Sequence, residues 1–347
     1  MDDYAILGGG FSGLYILSNI PSKYRATLYE KTSRLGGRIY TYDYIDYGAA
    51  RFKPDDIYIA DRLNIPTVYI KDYPSNNFTF INGKVKYFGD IQDILKYMSK
   101  INIDVVDNKL SFKDVVNDYW YDKIWRITGY DMFRNLNINA NVLLKELIST
   151  SDYHYYPVNG MYNVIDKLVE LAKCHKIYTN CTDIKTPVRN IIIAYPPKDD
   201  RIWYSWSAIK ICIKFNKNWF TDLGLEYGKF TSDRMIRQLF YLPPSSIIIY
   251  CDDITAKKWR DMLPSDESEW IKVNNKQPYV NIINRELSKM FGIDDFSIRM
   301  ISWKYWKCGC NMWRRGVDMI NFPNMYISDC YSYECGWLSS ILKRVNI

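Results

Sequence analysis

The opening of the chain alternates between apolar and glycine-rich blocks. The apolar run 4–7 is typical of a short buried strand, and a second apolar run of the same kind covers 26–29. The apolar positions between these runs recur at helical spacing and are Leu14, Ile16, Leu17 and Ile20. The pattern therefore predicts a strand, a helix and a second strand parallel to the first.

Beyond residue 53 the pattern changes to shorter strands and helices. The predicted strands are 67–70, 78–81 and 85–88, with an Asn-Gly hairpin turn before the last of them. The predicted helices are 91–98 and 112–125, and the acidic run 266–269 predicts the solvated start of another helix. A later strand is predicted to bury one face, because its alternate residues are apolar: Ile209, Ile211, Ile213 and Phe215.

Three glycines after the first strand, Gly8, Gly10 and Gly13, have the G-x-G-x-x-G spacing of a dinucleotide-binding turn. The first glycine permits the turn, the second lets backbone N–H groups approach a pyrophosphate, and the third lets the helix pack closely on the strand. Glu30 ends the second strand, where a ribose hydroxyl needs a carboxylate acceptor. The run 34–38 places two arginines beside two glycines, which suits a second approach to the same diphosphate.

Taken together, the glycine turn, Glu30 and the run 34–38 resemble the N-terminal signature of the FAD-dependent amine oxidase family, which includes the monoamine and polyamine oxidases. The segment 46–52 resembles the family's next segment, which passes its backbone close to the flavin ring. The resemblance implies that FAD is the cofactor. The residues that it implies for binding are Gly8, Gly10, Phe11, Ser12, Gly13, Glu30, Lys31, Gly37, Arg38, Gly48, Ala49, Ala50, Arg51 and Phe52.

The resemblance implies further site residues in the second half of the chain. Lys210 resembles the family's lysine that reaches flavin N5 through a water, where its ammonium stabilises the negative charge that develops on dioxygen. Trp337, at the start of a terminal helix aimed at the flavin, matches one of two aromatics that clamp the amine, whereas the other position falls near the polar Asn311. Asp329 stands where an acid binds the ribityl or pyrophosphate portion. Cys310 lies where monoamine oxidases attach flavin covalently; we expect noncovalent FAD, with attachment through Cys310 as the alternative.

The fold implied by the resemblance is α/β, with a doubly wound, Rossmann-like FAD-binding domain and an inserted substrate domain of mixed sheet and helices. The FAD-binding domain is predicted to be discontinuous and to comprise 1–52, 142–205 and 296–347. The predicted substrate domain comprises 53–141 and 206–295.

Composition narrows the classes of partner. The 46 basic residues exceed the 39 acidic ones by only seven and are scattered among them, so we expect no nucleic-acid partner. No apolar run reaches the roughly 18 residues of a membrane helix, so we expect no membrane partner. Eight cysteines and two histidines, without metal-ligand spacing, predict thiols in a reducing compartment and no metal site. We therefore expect a cytoplasmic protein. The 31 tyrosines and many lysines are typical of an AT-rich genome, such as that of a large DNA virus or a low-GC microbe. For a viral protein the expected location is the host cytoplasm or the virion.

The implied function is oxidation of a small amine, with hydride transfer to flavin N5 and reoxidation by dioxygen to give hydrogen peroxide. Two alternatives stay open: a flavoprotein fold kept as a structural or binding module, for example in a virus particle, and an FAD-dependent desaturase or non-amine oxidase. Relatives of the last kind generally lack a lysine at the position of Lys210. His154 is interpreted as a partly buried structural histidine rather than a general base. The sequence leaves the oligomeric state open.

Overall fold

The computed structural model describes residues 1–71, 78–81, 84–86, 91–149, 153–196, 199–224, 229–242, 245–274, 277–318 and 325–328. The chain divides into two compact units. The first comprises Met1–Ile70, Tyr153–Trp203 and Asp318–Ile347, and of its last segment only 318 and 325–328 are described. The second comprises Lys71–Asp152 and Tyr204–Val317.

Sixteen strands and ten α-helices are assigned within the described residues. The strands are β1 (Asp2–Leu7), β2 (Ala26–Tyr29), β3 (Thr41–Tyr42), β4 (Ile45–Asp46), β5 (Thr67–Lys71), β6 (Phe78–Ile81), β7 (Lys84–Lys86), β8 (Tyr153–Pro157), β9 (Lys176–Tyr178), β10 (Val188–Ile193), β11 (Trp203–Phe215), β12 (Lys229–Ser232), β13 (Gln238–Leu242), β14 (Ser246–Asp252), β15 (Glu267–Lys272) and β16 (Ile298–Trp313). The helices are α1 (Phe11–Asn19), α2 (Ile57–Arg62), α3 (Ile91–Met98), α4 (Phe112–Val115), α5 (Asp118–Thr128), α6 (Ala140–Ile148), α7 (Tyr162–Leu171), α8 (Trp219–Asp222), α9 (Asp253–Met262) and α10 (Pro278–Phe291).

The first unit is built on a parallel four-stranded sheet in the order β10, β1, β2, β9. Leu17 of α1 and Leu168 of α7 are buried in one apolar cluster with Ile6 of β1. The predicted strand, helix and parallel second strand are thereby confirmed. Parallel pairing of β1 with β2 requires a crossover, and α1 supplies it over the sheet face that its apolar positions cover.

The last described segment extends this sheet beside β10. The N–H of Ile193 donates to the carbonyl oxygen of Met325 at 2.7 Å, and the N–H of Ile327 donates to that of Ile193 at 2.8 Å. Ile193 and Tyr326 form a parallel bridge. Residues 325–327 therefore continue the parallel sheet on the far side of β10 from β1.

The second unit is built on an eight-stranded sheet in the order β15, β16, β11, β14, β13, β12, β6, β7. Its central strands β11, β14, β13 and β12 pair antiparallel, whereas β12 and β6 are parallel. The alternation along β11 is confirmed, since Ile209, Ile211 and Ile213 lie in one apolar core. Trp259 of α9 and Leu287 of α10 are buried in the same core, so these helices cover that face of the sheet.

Two predicted helices of the second unit differ from the structure. The predicted helix 112–125 is divided into α4 and α5, because Asn117 caps a new helix by accepting the N–H of Trp120 at 3.0 Å. The helix start predicted at 266–269 is wrong, because β15 occupies 267–272 and pairs antiparallel with β16. Glu267 lies opposite Lys304 there and forms an ion pair with it, so its charge stabilises the pairing of two strands rather than a helix terminus.

The compact units end at other residues than the predicted domains. Residues 53–70 belong to the first unit, because Ile59, Leu63 and Ile65 are buried in its apolar cluster. Residues 142–152 and 296–317 belong to the second unit. Which segments serve the cofactor and which the substrate stays a prediction.

Within the described part of the chain, no helix is both long and apolar enough to cross a bilayer. Nor do three or more histidine, cysteine or acidic side chains gather there as they do around a metal ion. The cysteines that the structure describes are thiols.

Candidate functional site

The carboxyl ends of the parallel strands meet at one edge of the first unit, which is where open α/β sheets bind ligands. Strand β1 leads into Gly8, β2 into Glu30 and β10 into Ala194. The N–H of Gly8 donates to the carbonyl oxygen of Tyr29 at 2.9 Å, and that of Ala194 to Leu7 at 2.8 Å. The structure thus brings together the glycine turn and the acid that the sequence assigned to one site.

Three glycines of the turn have no room for a side chain. A Cβ on Gly13 would lie 1.9 Å from the carbonyl oxygen of Gly8, and one on Gly8, whose φ is +111°, would lie 2.9 Å from that of Ala194. A Cβ on Gly9 would lie 2.6 Å from Cδ2 of Leu35. Gly8 and Gly13 thus let neighbouring segments pack backbone to backbone, and Gly9 lets the side chains of Leu35 and Glu30 pack against the turn.

Gly10 differs from the other glycines of the turn. Among the described residues, the nearest atom to a Cβ there would be Cα of Gly37, at 3.8 Å, so that part of the chain leaves this space open. Gly10 is also the N-cap of α1, and the first N–H groups of a helix have no intrahelical acceptor. The side chains of Phe11 and Ser12 are buried, so the groups that these residues can offer a ligand are their backbone N–H groups. The open space and the helix terminus together suit an anionic group.

Glu30 clamps the glycine turn to the residues that follow β2. Its Oε2 accepts the N–H of Gly9 at 2.7 Å, and its Oε1 accepts the N–H of Thr32 at 2.8 Å and the Thr32 hydroxyl at 2.7 Å. A carboxylate has about four lone-pair sites, so these three hydrogen bonds do not exhaust what Glu30 can accept. Its contact with a ribose hydroxyl stays a prediction. Lys31, also predicted to bind the cofactor, is exposed.

The second pair of glycines lies directly against the first turn. The N–H of Gly36, whose φ is +99°, donates to the carbonyl oxygen of Gly9 at 2.8 Å. A Cβ on Gly37, whose φ is +56°, would lie 3.2 Å from Cα of Gly10. Arg38 follows and is half-buried. Two glycine-rich turns therefore converge, as the spacing in the sequence suggested.

Arg34, the other arginine of the run 34–38, is hydrogen-bonded within its own turn. Its Nη1 donates to the carbonyl oxygens of Leu35 and Ile39 at 2.8 and 2.9 Å, and its Nη2 donates to that of Gly37 at 2.6 Å. Burial lowers the pKa of the Arg34 guanidinium, which nevertheless stays charged at neutral pH. Its charge is directed at backbone carbonyls of its own turn.

The segment predicted to pass near a flavin ring is packed against the second glycine turn. A Cβ on Gly48 would lie 1.9 Å from the carbonyl oxygen of Arg38. The N–H of Ala49 donates to the same oxygen at 3.1 Å. Ala49 is exposed and Ala50 half-buried, so this stretch offers backbone and methyl groups rather than polar side chains.

The end of that segment is tied to β8. Nη1 of Arg51 donates to the hydroxyl of Tyr156 at 3.2 Å. Phe52 exchanges two backbone hydrogen bonds with Tyr155, at 2.9 and 3.1 Å, and its side chain is buried in the apolar cluster. The backbone and the side chain of Phe52 are thus both engaged within the protein, and its contact with a cofactor stays a prediction. His154, on the same strand β8, is buried.

In the second unit, Lys210 lies on the sheet face opposite the apolar core and is half-buried. Its Cα is in register with that of Tyr250 on β14, which in turn is in register with Gln238 on β13 and Thr231 on β12. We call these four residues the polar row. Gln238 is fully buried, and its Nε2 lies 3.4 Å from the carbonyl oxygen of Gly129.

Cys310 and Asn311 are buried near the end of β16. Oδ1 of Asn311 accepts hydrogen bonds from the hydroxyl of Ser205 and, at 3.1 Å, from Sγ of Cys308. Nδ2 of Asn311 finds no acceptor within the described part of the chain. Sγ of Cys310 lies 3.7 Å from the carbonyl oxygen of Asn311, and covalent attachment of a flavin there stays a prediction.

A buried charge network, which the sequence did not predict, supports the same unit. Asp252 accepts the N–H groups of Asp131 and Met132 at 2.8 and 2.9 Å. The Asp131 carboxylate lies 2.9 Å from Nε of Arg237 and accepts Nε1–H of Trp125 at 3.0 Å. Burial and repulsion from Asp131 raise the pKa of Asp252, and burial lowers the pKa of Arg237. The partners are far apart in the sequence, so no spacing could indicate them.

Comparison with known proteins bears on the fold of the whole chain. Residues 6–63 match the family model of an NAD(P)-binding Rossmann-like domain. A search of curated protein sequences found no match. The solved structure of cyclohexylamine oxidase from Brevibacterium oxydans IH-35A superposes with a TM-score of 0.71 at 12% identity, over 99% of this chain and 96% of that one. Wild-type putrescine oxidase bound to putrescine gives 0.59 at 14% identity, over 83% and 81%.

The chain has the fold of these amine oxidases. The predicted fold class, a Rossmann-like α/β domain combined with a separate sheet and helices, is confirmed. Identities of 12% and 14% carry no more than the fold, so the chemistry must be argued from the residues themselves.

Two predicted residues of the amine oxidase fold, Asp329 and Trp337, lie outside the described residues. Sequence reasoning missed Thr32, which holds the Glu30 carboxylate, and Tyr162, whose hydroxyl donates to the carbonyl oxygen of Leu35 at 3.5 Å. The sequence could have indicated Thr32, because a hydroxyl two residues after an acid can donate a local hydrogen bond to its carboxylate. None existed for Tyr162, which is distant in the chain.

Proposed function

We propose that the chain is an FAD-dependent oxidoreductase of the amine oxidase type that acts on a small amine. The observation that carries the proposal is the pair of glycine turns held backbone to backbone, with the space at Gly10 left open. The likeness in fold to cyclohexylamine oxidase and putrescine oxidase supports the same choice, since both of those proteins are named for small amines.

The described residues fit the diphosphate of FAD. Backbone N–H groups at the start of α1 would bind it, and the open side of Gly10 gives it room. Glu30 is already fixed by three hydrogen bonds and would need no reorganisation to accept a ribose hydroxyl. When bound, FAD would supply the hydride acceptor for an amine substrate, whose imine product hydrolyses, and would return the electrons to dioxygen as hydrogen peroxide.

Lys210 would supply a fixed positive charge. Lys210 is half-buried on the polar row, and a partly buried charge is screened less by water and salt than an exposed one. An ammonium held there would stabilise negative charge that develops on dioxygen as it accepts electrons. Trp337 would form one wall of the amine pocket, and Asp329 would bind the cofactor. We propose noncovalent FAD, with a bond to Cys310 as the alternative.

The test uses the full-length purified chain. We expect absorbance bands of bound flavin between about 350 and 500 nm, bleaching of these bands by putrescine or cyclohexylamine under argon, and their return in air. Acid precipitation separates the two modes of attachment, because noncovalent flavin stays in the supernatant and a bond to Cys310 keeps the colour in the pellet. A colourless chain that takes up no added FAD contradicts the proposal.

One observation favours a second candidate. Asn311, near the position where the resemblance predicts an aromatic wall, is buried, and its amide Nδ2 has no acceptor among the described residues. A buried donor without an acceptor costs about 1–3 kcal/mol unless a ligand satisfies it, and an uncharged carbonyl-bearing substrate does this better than an amine. A yellow chain that amines do not bleach would therefore indicate a non-amine oxidase or desaturase, and a colourless one a structural or binding module.

A further inference from the structure

Arg34 makes a fork of hydrogen bonds within the second glycine turn. Its two terminal nitrogens donate to the carbonyl oxygens of Leu35, Gly37 and Ile39, at 2.8, 2.6 and 2.9 Å. The turn itself closes with the N–H of Ile39 donating to the carbonyl oxygen of Gly36 at 2.9 Å. Three carbonyls from alternate residues thus converge on one guanidinium, whose planar array of donors matches them.

This fork fixes the direction of the peptide groups. In a trans peptide the N–H points opposite to the C=O of the preceding residue. The carbonyl of Leu35 faces Arg34, and the N–H of Gly36 accordingly points away from it, to the carbonyl oxygen of Gly9 at 2.8 Å. By the same geometry the Gly37 carbonyl on Arg34 turns the next N–H, that of Arg38, away from the guanidinium.

The turn needs such support, because its carbonyl oxygens converge and repel one another, and only glycines allow the backbone to turn in this way. Gly36 and Gly37 both have positive φ, +99° and +56°. Carbonyl oxygens that converge on one point carry partial negative charges, and a cation between them removes the repulsion. The guanidinium also lies 5.1 Å from the centre of the Tyr40 ring and is half-buried, which limits its movement.

The fork continues into the first glycine turn. The Thr32 hydroxyl lies 2.9 Å from the carbonyl oxygen of Arg34 and 2.7 Å from Oε1 of Glu30. Oε2 of Glu30 accepts the N–H of Gly9 at 2.7 Å. The Thr32 hydroxyl has one proton and donates to one of these two oxygens at a time. It therefore connects the backbone at Arg34 with Glu30, and Gly9 in turn accepts the N–H of Gly36.

We propose that Arg34 is a positioning residue for the dinucleotide: it holds the second glycine turn against the first through hydrogen bonds to backbone carbonyls and does not bind the phosphates. The inference rests on the proposed function, because the ligand whose site is positioned is FAD. It makes the planar set of donors on the guanidinium, rather than a charge directed at the phosphates, the property that affinity for FAD depends on.

The test compares charge with shape. Full-length wild type, Arg34→Lys and Arg34→Met are loaded with FAD and diluted, and flavin fluorescence gives the dissociation constant at low and high salt. Lysine keeps the charge but cannot donate to three carbonyls in one plane. We expect both variants to weaken FAD binding about tenfold or more, by similar factors at both salt concentrations. Arg25→Lys, at an exposed arginine of the same unit, is the control and should bind as wild type does.

The contrary outcomes are distinct. If Arg34→Lys keeps wild-type affinity while Arg34→Met loses it, and the loss shrinks with salt, Arg34 binds phosphate by its charge and the inference is overturned. Unchanged affinity in both variants overturns it too, even where the apoprotein melts at a lower temperature. Wild type that binds no FAD overturns the proposed function as well as the inference.

A second variant keeps the test open if the Arg34 variants do not fold. Gly37→Ala strains the same turn without touching a charge, since its Cβ would lie 3.2 Å from Cα of Gly10 and its φ is +56°. We expect weaker FAD binding that does not depend on salt. Wild-type affinity in this variant shows that the turn has no part in binding and overturns the inference.

Discussion

Replacing Gly10 by alanine separates the folding of the glycine turn from its use as a ligand site. Within the part of the chain that the structure describes, the nearest atom to the new Cβ would be Cα of Gly37, at 3.8 Å, which is an ordinary van der Waals contact. Gly10 has φ −77° and ψ −176°, which alanine adopts without strain. The folded apoprotein should therefore keep its stability to within about 1 kcal/mol, because the lower entropy of the unfolded chain offsets the poorer N-cap that alanine gives α1.

Affinity for FAD should behave differently. The methyl group would occupy the space through which a diphosphate approaches the second glycine of this motif. Overpacking of a tight contact costs about 1–3 kcal/mol, which corresponds to a dissociation constant raised roughly 5- to 150-fold. The assay is flavin fluorescence for binding, together with thermal melting of the apoprotein.

Gly13→Ala is the matched contrast. Its Cβ would lie 1.9 Å from the carbonyl oxygen of Gly8, so helix and strand must separate. We expect the melting temperature of this apoprotein to fall, whereas that of Gly10→Ala does not. A Gly10→Ala protein that is stable and binds FAD as wild type does would refute the assignment of this space to the cofactor.

Three further predictions concern the charge on β11, the buried acid and the flavin-side loop. Lys210→Met should slow reoxidation of the reduced flavin by dioxygen roughly a hundredfold, as loss of one charge-stabilising donor does elsewhere. Stopped-flow absorbance measures the rate of reoxidation, and Lys214→Met on the same strand is the control. Equal rates in Lys210→Met and wild type contradict the prediction. Burial raises the pKa of Asp252, so above about pH 4, its value when unfolded, the native state binds more protons and the unfolding free energy falls as pH rises towards the raised pKa. Asp252→Asn should flatten this dependence in urea titrations at several pH values, and an unchanged slope assigns it to other groups. Gly48→Ala, with its Cβ 1.9 Å from the carbonyl oxygen of Arg38, should lower stability by about 1–3 kcal/mol, and an unchanged melting temperature contradicts the packing described here.

The features predicted best from sequence are those that neighbouring residues decide. The strand, turn and helix from 2 to 19 follow from apolar spacing and from glycines whose missing side chains permit close packing. The alternation along β11 likewise predicted its buried face. In both cases the structure depends on residues that are close together in the sequence, so the spacing of apolar residues and glycines is enough to predict it.

Features that depend on distant partners could not be predicted. The run 34–38 indicated two arginines near a ligand, but the bonds that turn Arg34 onto carbonyls exist only once the loop has folded. Asp252 meets Asp131 and Arg237 across the second unit, and no spacing relates them. The division near residue 53 was placed at a change of pattern, whereas burial of Ile59 and its neighbours keeps 53–70 in the first unit.

The strand pairing at Ile193 has a consequence for synthesis of the protein. The segment 325–327 is synthesised long after β10, because Tyr204–Val317 of the second unit lies between them. Until then, β10 lacks this partner along one border, and unpaired strand borders recruit other strands. The loops after β1 and β2 precede β10 in the chain, so a nascent chain can form both glycine turns before this border of the sheet is paired.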